Sequence, residues 1–498
     1  MTTDVLIIGA GPTGLSLACQ LLRYGIDFVI VERKEGVTPF SKAIGVHART
    51  LEIYEQLELA EKAIEQGAIA DKGRLLVDGE IRGELHFGRF GEGLSRYPFL
   101  LMLEQSKNEQ LLYEYMQRHG REVEWQTELE DFTRSDSGVS ARVKSADGNR
   151  RTIEAKYLVG CDGPRSLVRN KLGIDFVGGT FERTFYVADA QIDWQFSHDG
   201  VHVCLANESF VGFFPLPGEK RYRIVGVFPE QFSKDEGDVL YEEIETEIKQ
   251  LSELDLDIHD VEWFSTYKVH TRHAARFSDG RCFLAGDAAH VHTPAGAQGM
   301  NTGIQDGYNL AWKLALVLQN VAGESLLSTY NEERLENAKN LLRTTDRMFQ
   351  MVAGEQWWLA FLRMNVLPSI ANSIFSLDWV RKAVFPTLSQ IGINYRHSSL
   401  SRHAGDEDFA VKAGDRMPYF ENVYDRLRAP RFHLLAFGSE MNSDYGSQVD
   451  CYSFPLTNHV RHVFGTEQPF NILLRPDNYI GCIATEISST EVESYIKR

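Results

Sequence analysis

The chain has 498 residues, 70 acidic and 52 basic side chains and a formal charge of −18, with 43% hydrophobic and 24% charged residues. These proportions exclude a collagen-like repeat and wholesale disorder, and an acidic chain without a basic block is not built to bind nucleic acid. The length is enough for two or more hydrophobic cores. Six cysteines (Cys19, Cys161, Cys204, Cys282, Cys451 and Cys482) are scattered without a CxxC pair. That pattern reads as reduced thiols in a cytoplasmic protein rather than a disulfide framework or a zinc site. Met1 leads into a strand without a basic leader, and no apolar run nears the eighteen or so residues of a membrane span, so a soluble chain is expected.

In chain order, Val5-Leu6-Ile7-Ile8 is an unbroken β-rich run of the kind buried in a parallel sheet. Gly9-Ala10-Gly11-Pro12-Thr13-Gly14 follows, then the apolar helical stretch Leu15–Leu22 and a second strand, Phe28-Val29-Ile30-Val31, ending in Glu32 and Arg33. Strand, glycine turn, helix, strand and acid stand in the order a dinucleotide site requires. The helix start faces the phosphates, and the carboxylate accepts hydrogen bonds from a ribose. Leu75–Glu80 reads as a strand entering a hairpin at Asp78-Gly79. Lys156–Arg169 is a strand, an Asp162-Gly163 turn and a helix start that Ser166 can cap. Val201–Leu205, Phe210–Leu216 and Arg221–Phe228 read as neighbouring strands of a mixed sheet. A buried strand at Arg281–Ala285 ends in Gly286-Asp287, and a glycine-rich loop through Pro294, Gly299, Met300 and Asn301 opens a helix expected over about Ile304–Val321. Helical charge patterns follow over Glu324–Met351, and the polar stretch from Gln390 to Gly405 reads as a linker.

These motifs, in this order, resemble the FAD-dependent aromatic hydroxylases, the single-component flavoprotein monooxygenases, and most closely the branch acting on phenols and polycyclic polyketides or antibiotics. The resemblance implies an α/β fold: a Rossmann-type FAD-binding domain (1–74, 104–174 and 270–345) with an inserted mixed-sheet substrate domain (75–103 and 175–269). A helical connection (346–400) and a thioredoxin-like C-terminal domain without CxxC (401–498) complete it. It implies FAD held by Gly9, Gly11, Pro12, Thr13, Gly14, Glu32, Arg33, Lys42, Arg49, Gln105, Asp162, Gly163, Gly286, Asp287, Pro294, Gly299, Met300 and Asn301. Pro294, Gly299, Met300 and Asn301 would position the flavin, with no side-chain nucleophile. Lys42 stands where many relatives carry arginine, which turns a bidentate grip into a point charge. In the cycle the resemblance implies, NAD(P)H would reduce the flavin and leave, dioxygen would add to give a flavin hydroperoxide, and one oxygen atom would go to an electron-rich ring. Baeyer–Villiger or ring-opening oxygenation of a bulky natural product is the alternative outcome.

Aromatic strands of the middle region supply the substrate candidates Phe210, Phe213, Phe214, Pro215 and Arg223. The histidines near the glycine motifs (His47, His290 and His292) have no HExxH or paired-carboxylate spacing, so a structural or flavin-adjacent role is expected rather than a metal. The expected partner is a small aromatic or polycyclic substrate, with no nucleic acid, membrane or metal, in a monomer or homodimer.

Overall fold

A computed structural model describes residues 1–39, 43–206, 209–228, 240–293, 295–353, 384–403, 408–441 and 445–498. Lys42 and Pro294 therefore lie outside the described residues, as does most of the expected connection at 346–400.

The first sheet grows from Thr2–Ile8, which pairs in parallel with Phe28–Val31 on one side and Arg150–Gly160 on the other. Arg150–Gly160 pairs in parallel with Cys282–Leu284, and its early residues turn antiparallel to Val139–Ser145. Val5, Leu6 and Ile7 are fully buried, as a strand covered on both faces must be. Helix Pro12–Arg23, begun by a proline that needs no N–H partner at that position, covers the sheet against helix Gly299–Leu318. The second helix starts earlier than expected. The Gly299–Gly303 stretch is helical, not a loop, because its glycines serve close packing. A Cβ on Gly303 would sit 2.3 Å from Thr13 Oγ1, and one on Gly307 3.0 Å from Leu17 N.

The second sheet runs in the order His290–Val291, Asp257–Ala274, Phe176–Asp193, Arg221–Val227, Phe210–Pro215, Gly200–Leu205, Lys72–Val77 and Glu80–His86. The expected hairpin is present, with Asp78 and Gly79 both left-handed (φ 53° and 70°), the signature of the turn that matches strand twist. Its strands overrun the expected limits, reaching back to Lys72 and on to Ala274, since they also carry the chain between the two sheets. Helix Tyr241–Ser252 seals one face through Ile244 and Ile248, packed with Phe213, Tyr186 and Ile224. The other face looks toward the first sheet.

The third sheet orders Arg402–His403, Ile480–Ala484, Phe470–Leu474, Phe432–Phe437 and Val449–Phe454. Cys482 pairs with Leu473, Leu473 with Leu434 and Leu434 with Cys451, so two strands separate the cysteines. Three strand spacings put them ~14 Å apart, too far for a disulfide.

The Gln390–Gly405 stretch is not a free linker where it is described. Tyr395 is buried and its hydroxyl accepts from Arg334, while Ser398 donates to Glu333. Glu333 is the centre of a fully buried ionic cluster, accepting from Lys313 at 2.8 Å and from Arg475 at 2.6 and 3.0 Å, with Arg475 also paired to Asp477. A second cluster joins Arg416 to Glu52 and Arg49. Polar residues that would be solvated on a linker are here consumed in docking the C-terminal sheet onto the first domain.

Candidate active site

Between the first two sheets lies a cavity of about 1410 Å3. A single small-molecule site occupies roughly 300–1,000 Å3, so this one has room for more than one ligand. Its walls divide by chemistry.

One end is built on the glycine turn. Gly9 is left-handed (φ 103°), and a Cβ there would lie 2.4 Å from Cys161 O; one on Gly14 would lie 2.0 Å from Gly9 O. Turn, helix and neighbouring strand thus meet backbone to backbone. Gly9, Gly11, Pro12 and Thr13 face the cavity, whereas Gly14 lies beneath them. Glu32 and Arg33 also line it. The Glu32 carboxylate braces the turn, accepting from Ala10 N (2.8 Å) and Lys34 N (3.1 Å), and retains lone pairs for a ligand. Gln105 lines the cavity and donates to Glu109.

Asp162 and Gly163 form the adjoining rim. Asp162 accepts from Ser166 Oγ, Leu167 N and Val168 N, so its carboxylate chiefly caps helix Leu167–Lys171; burial nevertheless pushes its pKa up. Ser166 adds the expected cap by accepting from Arg169 N. Gly286 does not line the cavity, and its N–H donates to Asp306. Next to it Asp287 opens into the cavity while ringed by protein, and that desolvation raises its pKa. Among the described residues no group hydrogen-bonds its carboxylate.

At the start of helix Gly299–Leu318 the first helical bond runs from Thr302 N to Gln298 O, leaving the amides before it open to a ligand. Gly299 and Met300 line the cavity. Asn301 does not; it is a staple, accepting from His47 N and Thr50 Oγ1 and donating to Gly45 O and Ala297 O.

Arg49 is placed away from the cavity. Its guanidinium donates to Glu52 and Asp477 O and lies against the Tyr308 and Tyr479 rings, so the structure does not bring it together with the other residues expected to hold FAD. The charge is committed to Glu52 and to the segment between Phe470–Leu474 and Ile480–Ala484.

The far end is apolar and roofed by the second sheet. Phe214 and Arg223, cross-strand partners, face it, together with Val187, Val203, Val225 and Tyr267. Phe210, Phe213 and Pro215 do not line it. Phe213 points to the opposite face and packs against Trp194. Arg223 is buried and bidentate to Asp189 at 2.6 Å through both bonds. The valines and Tyr267 were missed by the sequence reading, yet strand alternation outward from Phe214 identifies them once register is known.

Residues 2–345 match the family described as the FAD binding domain. The 6-methylpretetramide 4-monooxygenase of Streptomyces rimosus is 31% identical, over 99% of this chain and 93% of the relative. Pentachlorophenol 4-monooxygenase of Sphingobium chlorophenolicum is 31% identical over 86% of this chain and 77% of its own. The chain belongs to the FAD-dependent aromatic hydroxylases. Among solved structures, aklavinone-11 hydroxylase in a ternary complex with FAD and aklavinone superposes with a TM-score of 0.81 at 26% identity, covering 99% of this chain and 98% of that one.

The residues present fit FAD. Beyond the close-packed glycine turn, three cavity-lining side chains, His292 (Nε2), Thr293 (Oγ1) and Gln298 (Nε2), hold buried polar atoms without a partner among the described residues. Orphaned groups of this kind are what a bound ligand satisfies. No helix among the described residues is long and apolar enough to cross a membrane, and none of their His, Cys, Asp and Glu side chains group as metal ligands.

Proposed function

We propose that this hydroxylase consumes NAD(P)H and places one atom of dioxygen on a phenolic or polycyclic aromatic ring. The observation that carries the reading is one cavity with two unlike ends, a glycine turn and open helix start facing an apolar, sheet-roofed chamber. The named relatives support the substrate class, since they act on 6-methylpretetramide and pentachlorophenol or hold aklavinone.

In this reading Gly9 and Gly11 permit backbone approach to the pyrophosphate, Gly14 lets the helix pack close beneath them, and Glu32 and Arg33 take the adenosine end. Gln105, Gly163 and Asp287 take the sugar-phosphate middle. Bound FAD supplies the redox chemistry with dioxygen. The chain's own residues bind and orient. The amides of Gly299 and Met300 present positive partial charge where negative charge develops on the ring system. Val187, Val203, Val225 and Phe214 exclude water from the reacting end. Arg223, paired with Asp189, sets a fixed positive charge in the wall of the chamber. Residues 401–498 act as a thioredoxin-like packing domain, a role supported by the buried ionic docking and the separated cysteines.

The test is aerobic NADH and NADPH oxidation by FAD-loaded protein against phenols and polycyclic aromatics, with peroxide and product mass followed together. Ligand-stimulated oxidation with a gain of one oxygen and little peroxide is expected. Oxygen inserted beside a carbonyl would instead mark Baeyer–Villiger chemistry, and bound FAD that neither nucleotide reduces would reject the reading.

A further inference from the structure

The chain enters helix Gly299–Leu318 through two consecutive left-handed residues, Gly296 (φ 75°) and Ala297 (φ 53°). Glycine adopts this conformation freely, but a residue with a Cβ is strained there. Such strain persists only where the surroundings over-determine it, and it concentrates at functional sites. Here the over-determination is visible. The carbonyl of Ala297 accepts two buried side-chain donors, His47 Nε2 at 3.0 Å and Asn301 Nδ2 at 2.9 Å. Asn301 Oδ1 in turn accepts from the backbone N of His47 at 2.9 Å and from Thr50 Oγ1 at 2.7 Å. The segment 45–50, the left-handed turn and the helix start therefore close into one ring of hydrogen bonds.

His47 is 3% exposed, yet its ring lies at the cavity wall. A carbonyl can only accept, so Nε2 must carry the hydrogen and the ring is held in one tautomer. Burial keeps it neutral, with a pKa lowered to about 4. We propose that His47 is a positioning residue for the cofactor ring: by holding the Ala297 carbonyl it fixes the left-handed turn and so aims the open amides of Gly299 and Met300 into the cavity. This rests on the FAD-binding reading above and assigns it a residue whose own side chain donates only to the protein.

His47→Phe keeps a flat ring and removes the donor. Gln places an amide N–H at similar reach, and Ala297→Gly removes the need for a clamp. Two readouts are used: FAD affinity of the apoprotein by flavin fluorescence, and the midpoint potential of the bound flavin. Losing one buried hydrogen bond weakens FAD binding by about 3- to 10-fold in His47→Phe and lowers the potential, because misaimed amides stabilise the reduced, anionic ring less. His47→Gln recovers most of both, and Ala297→Gly in the His47→Phe background recovers at least half of the affinity loss. A merely structural histidine would lower thermal stability in His47→Phe without moving the potential, and glycine at 297 would rescue nothing; either result overturns the proposal. Wild-type protein that fails to bind FAD would overturn the functional reading and this assignment with it. FAD bound equally by wild type and His47→Phe would overturn this assignment alone.

Discussion

Asp306 sits fully buried in the middle of helix Gly299–Leu318 and ties the Gly286–Asp287 turn to the rest of the site. Its Oδ2 accepts from Gly286 N at 2.9 Å and His290 Nε2 at 2.7 Å, and its Oδ1 from Arg334 Nε at 2.6 Å. Burial opposes the charge, but Arg334 and His290 outweigh it and hold the carboxyl below its usual range. Asp306→Asn preserves volume and converts one acceptor into a donor. Facing Gly286 and His290, the new amide meets two donors; facing Arg334, it meets a guanidinium. In either orientation buried donors lose their acceptor and the fully buried Arg334 loses its counter-ion. Removing one partner of such a pair costs about 3–5 kcal/mol, a large share of the ~5–15 kcal/mol that holds a typical domain. Urea unfolding of the apoprotein reads this as a lower midpoint with unchanged slope. Because Gly286 N–H fixes the turn carrying Asp287, FAD affinity falls as well. A loss below about 1 kcal/mol with unchanged FAD affinity would refute the argument, since it would mean that the buried charge is not what the turn depends on.

Three further outcomes follow from the same geometry. Gly14→Ala puts a methyl 2.0 Å from Gly9 O, so helix and turn must separate by about 1.4 Å to reach the 3.4 Å of ordinary contact. Overpacking of this size costs about 1–3 kcal/mol, and FAD retention on a desalting column should fall with it; full retention would contradict the backbone-contact account. His47, His202 and His433 are buried and neutral, each with a pKa lowered by burial from 6.5 to about 4. Their contribution to stability is whole above pH 6.5 and drains as pH falls toward 4, by up to about 3 kcal/mol for each histidine. A urea midpoint that stays flat from pH 7 to 4.5 would rule this out. Arg475→Met strips Glu333 and Asp477 of a shared, fully buried partner at a cost of about 3–5 kcal/mol and should loosen the third sheet from the first, opening the segment 390–403 to limited proteolysis.

The dinucleotide half was legible because its causes are local. A β-rich run, a glycine turn and an acid lie within Val5–Glu32, and each constrains its chain neighbours before any tertiary contact forms. The hairpin at Asp78-Gly79 and the Ser166 cap were legible for the same reason. Choosing Phe214 over Phe213 was not, because facing depends on register against Arg221–Val227, and a one-residue slip exchanges the two faces. Arg49, which the resemblance assigns to FAD, lies outside the cavity wall. Its true partners, Asp477 O and the Tyr479 ring, lie in a segment whose docking no local pattern announces, although Glu52 three residues on was a hint.

The central helix shows where an available signal was overlooked. From Met300 to Leu316 every residue is buried, and its run of Leu, Ala, Ile, Tyr and Trp already implied that. Asn301, Asp306, Asn309 and Lys313 stand within that run, and a buried polar group must be paired. Each therefore predicts a polar partner arriving from elsewhere in the chain. Asn301 takes the segment 45–50, Asp306 the Gly286 turn, and Asn309 and Lys313 take Glu333, which takes Arg475. The helix is thus the piece on which the cofactor turn, helix Ser325–Ala353 and the third sheet are all hung. These four polar residues locate those attachments along the sequence, and only the identities of the incoming partners required the fold.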